Sequence, residues 1–306
     1  VIPWMYPYLE PHGLIMKINN EQLSSLTPEM VNNDRKFWDW YTKYLMDNPK
    51  FLRDVVARKT FSKLRGAIAG IYAFRRMFPE AEYAFVQAIE LYPLSPEANF
   101  RLADVYMQQR KFTQARELIE RFLKEDPGND KVEGFLNQIR ETENADGRRQ
   151  ELEQKFSSGQ ADLNVALELA DLYRKLAMDG PFQGLTTSIL NDTNVPANVY
   201  LAVAKLFADA KRGDLLINAL QRYLAREPAN PRVWIDLAAI QAGMQKPDDA
   251  IQSISRAVEI GGEPARDMVR KDRRFDGLRD NPRFKALVPQ AAQSLPISLP
   301  GNLPLF

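Results

Sequence analysis

A single histidine, His12, sits between Pro11 and Gly13. As a general base it would need a nucleophile and an orienting group, and as a metal ligand it would need two or three companions. The 306 residues hold no second histidine and no cysteine. Disulfides, thiol nucleophiles and cysteine-based metal sites are therefore excluded by composition, and the redox compartment is left open. His12 reads as a turn residue. No glycine loop of the phosphate-binding kind is present. Gly66 and Gly70 have the spacing of one helix face and point to close helix packing, and Gly261-Gly262 reads as a helix end. Most carboxylates stand beside Arg or Lys, as in Arg116-Glu117 and Arg140-Glu141, the pattern of solvated helix faces. Asn191-Asp192-Thr193 matches a glycosylation sequon, a triplet common by chance. These residues point away from catalysis, and no catalytic, cofactor-binding or metal-binding residue is assigned.

Charge excludes a second class. With 41 basic and 40 acidic residues the net charge is +1, so nothing pulls the whole chain toward nucleic acid or an anionic membrane. The densest basic run, Arg270-Lys271-Asp272-Arg273-Arg274, is offset locally by Asp267, Asp272, Asp276 and Asp280. No apolar run approaches the roughly 20 residues of a transmembrane helix, and no signal peptide is visible. The chain opens on Val1 rather than Met, which reads as a fragment of a longer protein.

What the chain does carry is periodicity. One segment has Ile68, Ala69, Tyr72, Ala81, Phe85, Ala88 and Pro93. The same types recur 34 residues on as Leu102, Ala103, Tyr106, Ala115, Ile119, Phe122 and Pro127. Later segments read Tyr200, Val203, Ala204, Phe207, Leu216, Leu220, Tyr223 and Pro228, then Trp234, Leu237, Ala238, Ala250, Ile254, Ala257 and Gly262. A fifth keeps only its first half, Leu169, Ala170 and Tyr173. The pattern resembles the tetratricopeptide repeat (TPR), with its aromatic, Leu-small pair, Tyr, small residue, aromatic and Pro. The resemblance implies an all-α, TPR-type α-solenoid of antiparallel helix pairs, each packed on its neighbours. It also implies protein binding rather than catalysis.

The register divides the chain. Residues 1–61 form a non-repeat extension. There Pro3, Pro7, Pro11 and Gly13 prevent a continuous helix, Leu14–Ile18 could be a strand, and Thr27-Pro28-Glu29 starts a helix that ends before Pro49. Two repeats fill 62–129. Residues 130–162 are a degenerate repeat or hinge, broken at Asn144-Ala145-Asp146-Gly147. Three repeats fill 163–264, the first disturbed by Gly180-Pro181 and Gly184. Residues 265–290 are capping helices, and 291–306 is an extended Pro-rich tail, either disordered or docked along the solenoid.

The binding surface of a TPR array is the concave face lined by first helices. By the register it comprises Gly66, Gly70, Phe100, Asp104, Met107, Leu201, Lys205, Ala208, Ile235, Ala239 and Ala242, of which Phe100, Asp104, Met107, Leu201, Lys205, Ala208, Ile235 and Ala239 are the candidate protein-binding residues. The TPR subclass that holds a chaperone C-terminal carboxylate uses Lys and Asn at inner positions. Gly66, Gly70, Phe100, Asp104, Ile235 and Ala239 occupy those positions here, so that ligand is not expected. Small and apolar residues fit an apolar extended peptide or helix, or else a covering by the chain's own segments.

Residues 2–19, from Ile2-Pro3-Trp4-Met5-Tyr6-Pro7-Tyr8 through Gly13-Leu14-Ile15-Met16-Lys17-Ile18-Asn19, resemble a stretch of bacterial protein O-mannosyltransferase-like transmembrane proteins. Leu26–Val31 and Ala57–Arg65 continue the likeness. The resemblance implies a soluble tail after a polytopic glycosyltransferase-like part, on the outer, periplasm-like face. Membrane attachment would then run only through an upstream part, and Trp4, Tyr6 and Tyr8 would suit the membrane–water interface or pack on the 28–46 helix. The catalytic residues of that family have no counterpart in this sequence. Two functions are expected: a non-catalytic interaction module on a membrane protein, holding a partner or acceptor polypeptide, or a free-standing cytoplasmic TPR scaffold. A catalytic domain built on His12 ranks below both.

The small residue at the eighth repeat position carries a test. Ala69, Ala103, Ala170, Ala204 and Ala238 all occupy it, where the two helices of a repeat cross. Ala103→Leu should overpack that crossing and cost about 1–3 kcal/mol in denaturant unfolding; a wild-type midpoint would refute the register.

Overall fold

The computed structural model describes residues 3–289, so the 291–306 tail and Val1-Ile2 lie outside the described residues. The chain divides into two compact units, Val1–Arg148 and Arg149–Phe306.

The first unit begins with a 3-10 turn, Pro3–Tyr8, that contains Pro7. An antiparallel hairpin follows, β1 (Leu9–His12) and β2 (Ile15–Ile18). Its two-residue loop has Gly13 at φ 60°, the left-handed conformation that glycine adopts freely. Helix α1 (Pro28–Met46) starts as the sequence predicts, with Thr27 accepting from the Met30 amide and Pro28 at the first position. A short α2 (Pro49–Arg53) precedes two helix pairs, α3 (Val55–Phe74) with α4 (Phe78–Leu91), and α5 (Pro96–Gln108) with α6 (Phe112–Glu125). Ala69 and Ala103 are fully buried at the crossings, packed among Ile68, Tyr72, Phe85, Leu102 and Ile119 in one core.

The extension is locked to the first repeat by a buried polar network. Arg65, 1 % exposed, donates to Asp34 of α1 (2.9 Å) and to Gln87 of α4 (2.8 Å). The Tyr72 hydroxyl donates to the same Asp34 oxygen (2.8 Å), and burial together with that carboxylate drives its pKa up. Trp38 stacks beside the Arg65 guanidinium and donates its indole N–H to the Gly13 carbonyl (3.1 Å). One ion pair thus joins α1 to the first repeat.

Helix α7 (Asp130–Ser157) corrects the reading of 144–147, because it passes through Asn144-Ala145-Asp146-Gly147 without a break. Asp146 is paired with Arg110, and Glu143 accepts from Arg116 (2.9 Å) and Thr113 (2.7 Å). Pairs one turn apart, such as Arg149–Glu153 and Glu151–Lys155, continue along the helix. Val132, Leu136 and Ile139 belong to the first unit's core.

The second unit holds α8 (Leu163–Lys175), α9 (Asp179–Asn191), α10 (Ala197–Asp209), α11 (Gly213–Arg226), α12 (Pro231–Gly243), α13 (Pro247–Lys271) and α14 (Pro282–Leu287). The expected disturbance at Gly180-Pro181 and Gly184 does not appear: Pro181 lies in the first turn of α9, where a missing amide is tolerated. Gly262 does interrupt α13, at φ 58° and ψ −142°. Ala170, Ala204 and Ala238 are buried like their counterparts. Beyond Gly262 a 3-10 turn, Arg273–Leu278, and α14 bring Phe275, Leu278, Phe284 and Val288 onto Ile235, Ala239 and Val269. Two arginines of the basic run are paired: Arg270 with Glu263 and Asp267, and Arg274 with Asp272 and Asp236.

Every first helix ends in the same turn. Arg76, Arg110, Ala177, Lys211 and Gln245 have φ between 52° and 59°. Their amides donate to the carbonyl three residues back, and the following amide reaches five back, to Tyr72, Tyr106, Tyr173, Phe207 and Gln241. This is the Schellman closure. The five positions lie 34 residues apart, except where α7 replaces a turn between Arg110 and Ala177. None is glycine, although a left-handed L-residue costs about 1–2 kcal/mol. Ala177 is exposed, so Ala177→Gly loses little packing and should raise stability by about 0.5–1 kcal/mol, whereas glycine at a helical site such as Ala204 should lower it. Denaturant midpoints of the two variants will show the opposite signs.

Candidate functional site

The first-helix faces are α3 and α5 in one unit and α8, α10 and α12 in the other. In the first repeat the face is covered by the chain itself. The Arg75 side chain donates to the carbonyls of Tyr6 (3.1 Å), Pro7 (3.1 Å) and Leu9 (3.2 Å), and the Tyr6 ring stacks on Phe74 at 5.1 Å. A methyl group at Gly70 would lie 3.2 Å from the Tyr6 hydroxyl and 3.4 Å from Arg101. Gly70 therefore makes room for the extension and for Arg101. At Gly66 a methyl would meet nothing within 4 Å, so close packing does not explain that glycine.

On α5, Phe100 is half-buried against Phe135 (5.0 Å) and Phe122 (6.3 Å), and Met107 packs on the same core. Asp104 remains exposed on this face. The surrounding protein still strips enough water from its carboxyl to raise the pKa, against the opposing pull of Arg101. On α10, Leu201 is half-buried while Lys205 and Ala208 are exposed. On α12 the outcome differs: Ile235 and Ala239 are 2 % and 6 % exposed beneath the C-terminal cap, which leaves them no surface for a partner. Ala242 is half-buried.

Each unit also has a concavity that the repeat register did not suggest. In the first it is a 380 Å³ cleft between α4 and the next pair, lined by Val86, Ile89, Leu102, Tyr106, Leu118 and Phe122. The second has a 560 Å³ cleft at the equivalent place, lined by Gln221, Leu224, Trp234, Leu237, Ser253 and Arg256. The first is apolar. Burial, with Glu82 nearby, raises the Tyr106 hydroxyl at its edge to about 12. The second carries the buried hydrogen bond from Ser253 to Gln241 (2.7 Å). The aromatic and aliphatic residues of these clefts were visible in the sequence only as core.

His12 is exposed at the end of β1. Among the described residues no cluster of three His, Asp or Glu side chains could hold a metal ion, and no helix is long and apolar enough to cross a membrane.

Residues 76–139 match the family described as Tetratricopeptide repeat. No curated protein matches the chain. Similar solved structures include MamA protein, 13 % identical, covering 67 % of this chain and 93 % of that one with a TM-score of 0.29. YrrB, described as a TPR protein with an unusual peptide-binding site, is 12 % identical over 76 % of this chain and 98 % of its own, with a TM-score of 0.30. A tetratricopeptide repeat protein from Parabacteroides merdae ATCC 43184 is 11 % identical over 79 % and 92 %, also with a TM-score of 0.30. At such scores these structures lend this chain no site and no partner. The fold is all-α and of the TPR type. A repeat fold of this type suggests a protein–protein interaction module.

The Asp104 carboxyl supplies a measurement. Its raised pKa means that ionisation opposes folding: its contribution is fully present below the unfolded value and is lost as pH rises through the folded one. Carboxyl-carbon NMR should place Asp104 above the ordinary aspartate value, and Arg101→Ala should move it higher still, since Arg101 is the group holding it down.

Proposed function

We propose that this chain is a non-catalytic interaction module that binds an extended, largely apolar stretch of polypeptide across its first-helix faces. The reading rests on one observation: Asp104 in the first unit, and Lys205 and Ala208 in the second, stay exposed at inner positions of the repeat. In the first unit the half-buried Phe100 and Met107 stand on the same helix as Asp104, and in the second the half-buried Leu201 stands on the same helix as Lys205, so each face offers an apolar wall and a charge. Extended peptides bind such faces by alternating side-chain pockets with polar anchor points. In the same proposal the chain is the extramembrane tail of a membrane glycosyltransferase-like protein on the outer face of a bacterial membrane, where it holds a partner or acceptor polypeptide. The likeness of residues 2–19 motivates that placement.

Photo-crosslinking residues at positions 104, 205 and 208 should capture an envelope protein or acceptor polypeptide, and a probe at the exposed Val86 should not. Equal capture at all four positions, or none, would sink the binding proposal. The placement is tested separately with an antibody against residues 62–290. A membrane-fraction band far larger than 35.0 kDa supports a polytopic protein, and a free band near that mass removes it.

A further inference from the structure

Exposed apolar side chains are not spread evenly. Among the described residues, eight of the fourteen large ones that stay exposed lie between residues 4 and 56. Two of them, Trp40 and Tyr44 of α1, are 61 % and 57 % exposed. They stand one turn apart and stack on each other at 6.0 Å. Phe37 and Tyr41 extend the stripe, with Phe37–Trp40 centroids at 6.2 Å and Phe37–Tyr41 at 5.5 Å. The hairpin tip is pinned beside it, since the Trp38 indole holds the Gly13 carbonyl and Gly13 lies against the Phe37 ring. This brings the exposed Ile15 to the same end of the unit.

Charge says what covers this face. Lys36 and Lys43 lie four before and three after Trp40, on its side of the helix. Among the described residues neither enters an ion pair. The nearest acid on the helix, Asp39, accepts at Oδ1 from the Tyr83 hydroxyl and from Gln87 (2.8 Å). The face therefore presents stacked aromatics with unpaired lysines on one side. In protein–protein interfaces aromatics come with Arg, and Lys is depleted. Trp and Tyr flanked by Lys are instead the composition of surfaces that rest at the headgroup level of a bilayer, where lysine stems lie on apolar area and their heads meet lipid phosphates.

We propose that the Trp40–Tyr44 face of α1, with Lys36 and Lys43 beside it, docks on the surface of an anionic lipid bilayer. The contact is peripheral: the aromatic rings enter the headgroup layer and no helix crosses the membrane. Lipid docking and polypeptide capture are separate properties, and either can fail alone.

The test is flotation of the 306-residue chain with vesicles of phosphatidylglycerol and phosphatidylcholine in equal parts, against vesicles of phosphatidylcholine alone. Binding to the anionic vesicles at low salt, and its loss at high salt, are expected. Trp40→Ala/Tyr44→Ala and Lys36→Ser/Lys43→Ser should each reduce partitioning by about tenfold or more. All four residues are exposed, so circular dichroism and melting should stay near wild type. Val86→Ser, at an exposed site in the same unit, should bind like wild type. The proposal is overturned if the chain ignores anionic vesicles at low salt, or if both double variants bind as well as wild type. It is also overturned if light scattering finds a dimer that Trp40→Ala/Tyr44→Ala dissociates while vesicles remain unbound, since the face would then belong to a second copy.

Discussion

Everything in this protein depends on how closely two helices of a pair can approach. At each crossing one alanine lies buried, and its single methyl lets the two backbones come close. With the backbones that close, the large residue three positions on, Tyr72, Tyr106, Tyr173 or Phe207, fills the space left between helices. The same approach explains the turns. A second helix separated from the first by only three residues requires a left-handed residue between them, and the Schellman bonds hold Arg, Ala, Lys or Gln there despite the local cost.

Such pairs leave an apolar face at each end of a run, and water there would be costly. The two ends solve this differently. At the N-terminal end α1 and the hairpin close over the first repeat, and their position is set by a buried ion pair, Asp34–Arg65, rather than by apolar contact alone. Desolvation nearly offsets the attraction in such a pair, but breaking it strands a buried charge at about 3–5 kcal/mol. The pair therefore fixes where α1 lies more than it adds stability. At the C-terminal end aromatic and aliphatic side chains do the covering, with Phe275 buried against the last repeat. In each unit the cover occupies part of a first-helix face, that of α3 in the first and that of α12 in the second.

Some of this coverage had a signal in the sequence. Phe74 stands where the later repeats have Gln108, Lys175, Asp209 and Gly243, and an aromatic at an otherwise polar position asks for a partner, which is Tyr6. Ala239 stands where Asp104 and Lys205 are charged, and that change marks burial. Both signals are single residues against a register, and neither says which distant segment supplies the cover. Helix α7 is the converse case. Asn144, Asp146 and Gly147 read as a break because each disfavours helix by itself, yet Arg110 in the turn after α5 and Arg116 of α6 hold Asp146 and Glu143 in helical positions. Tertiary ion pairs outweighed local propensity.

The sequence by itself determined the fold class, the helix pairs, the crossing alanines, the cap of α1 and the absence of cysteine chemistry. These follow from local rules: a 34-residue period, small residues where backbones meet, and side chains that satisfy helix-end amides. Only the tertiary structure decided which of the predicted binding positions remain open. Asp104, Lys205 and Ala208 keep their surface while Ile235 and Ala239 lose theirs, although all five stand in the same register. The reason is that burial at a repeat position depends on segments outside the repeat. Where those segments settle is fixed by long-range contacts, Asp34 with Arg65 and Phe275 with the last core, that no periodicity records.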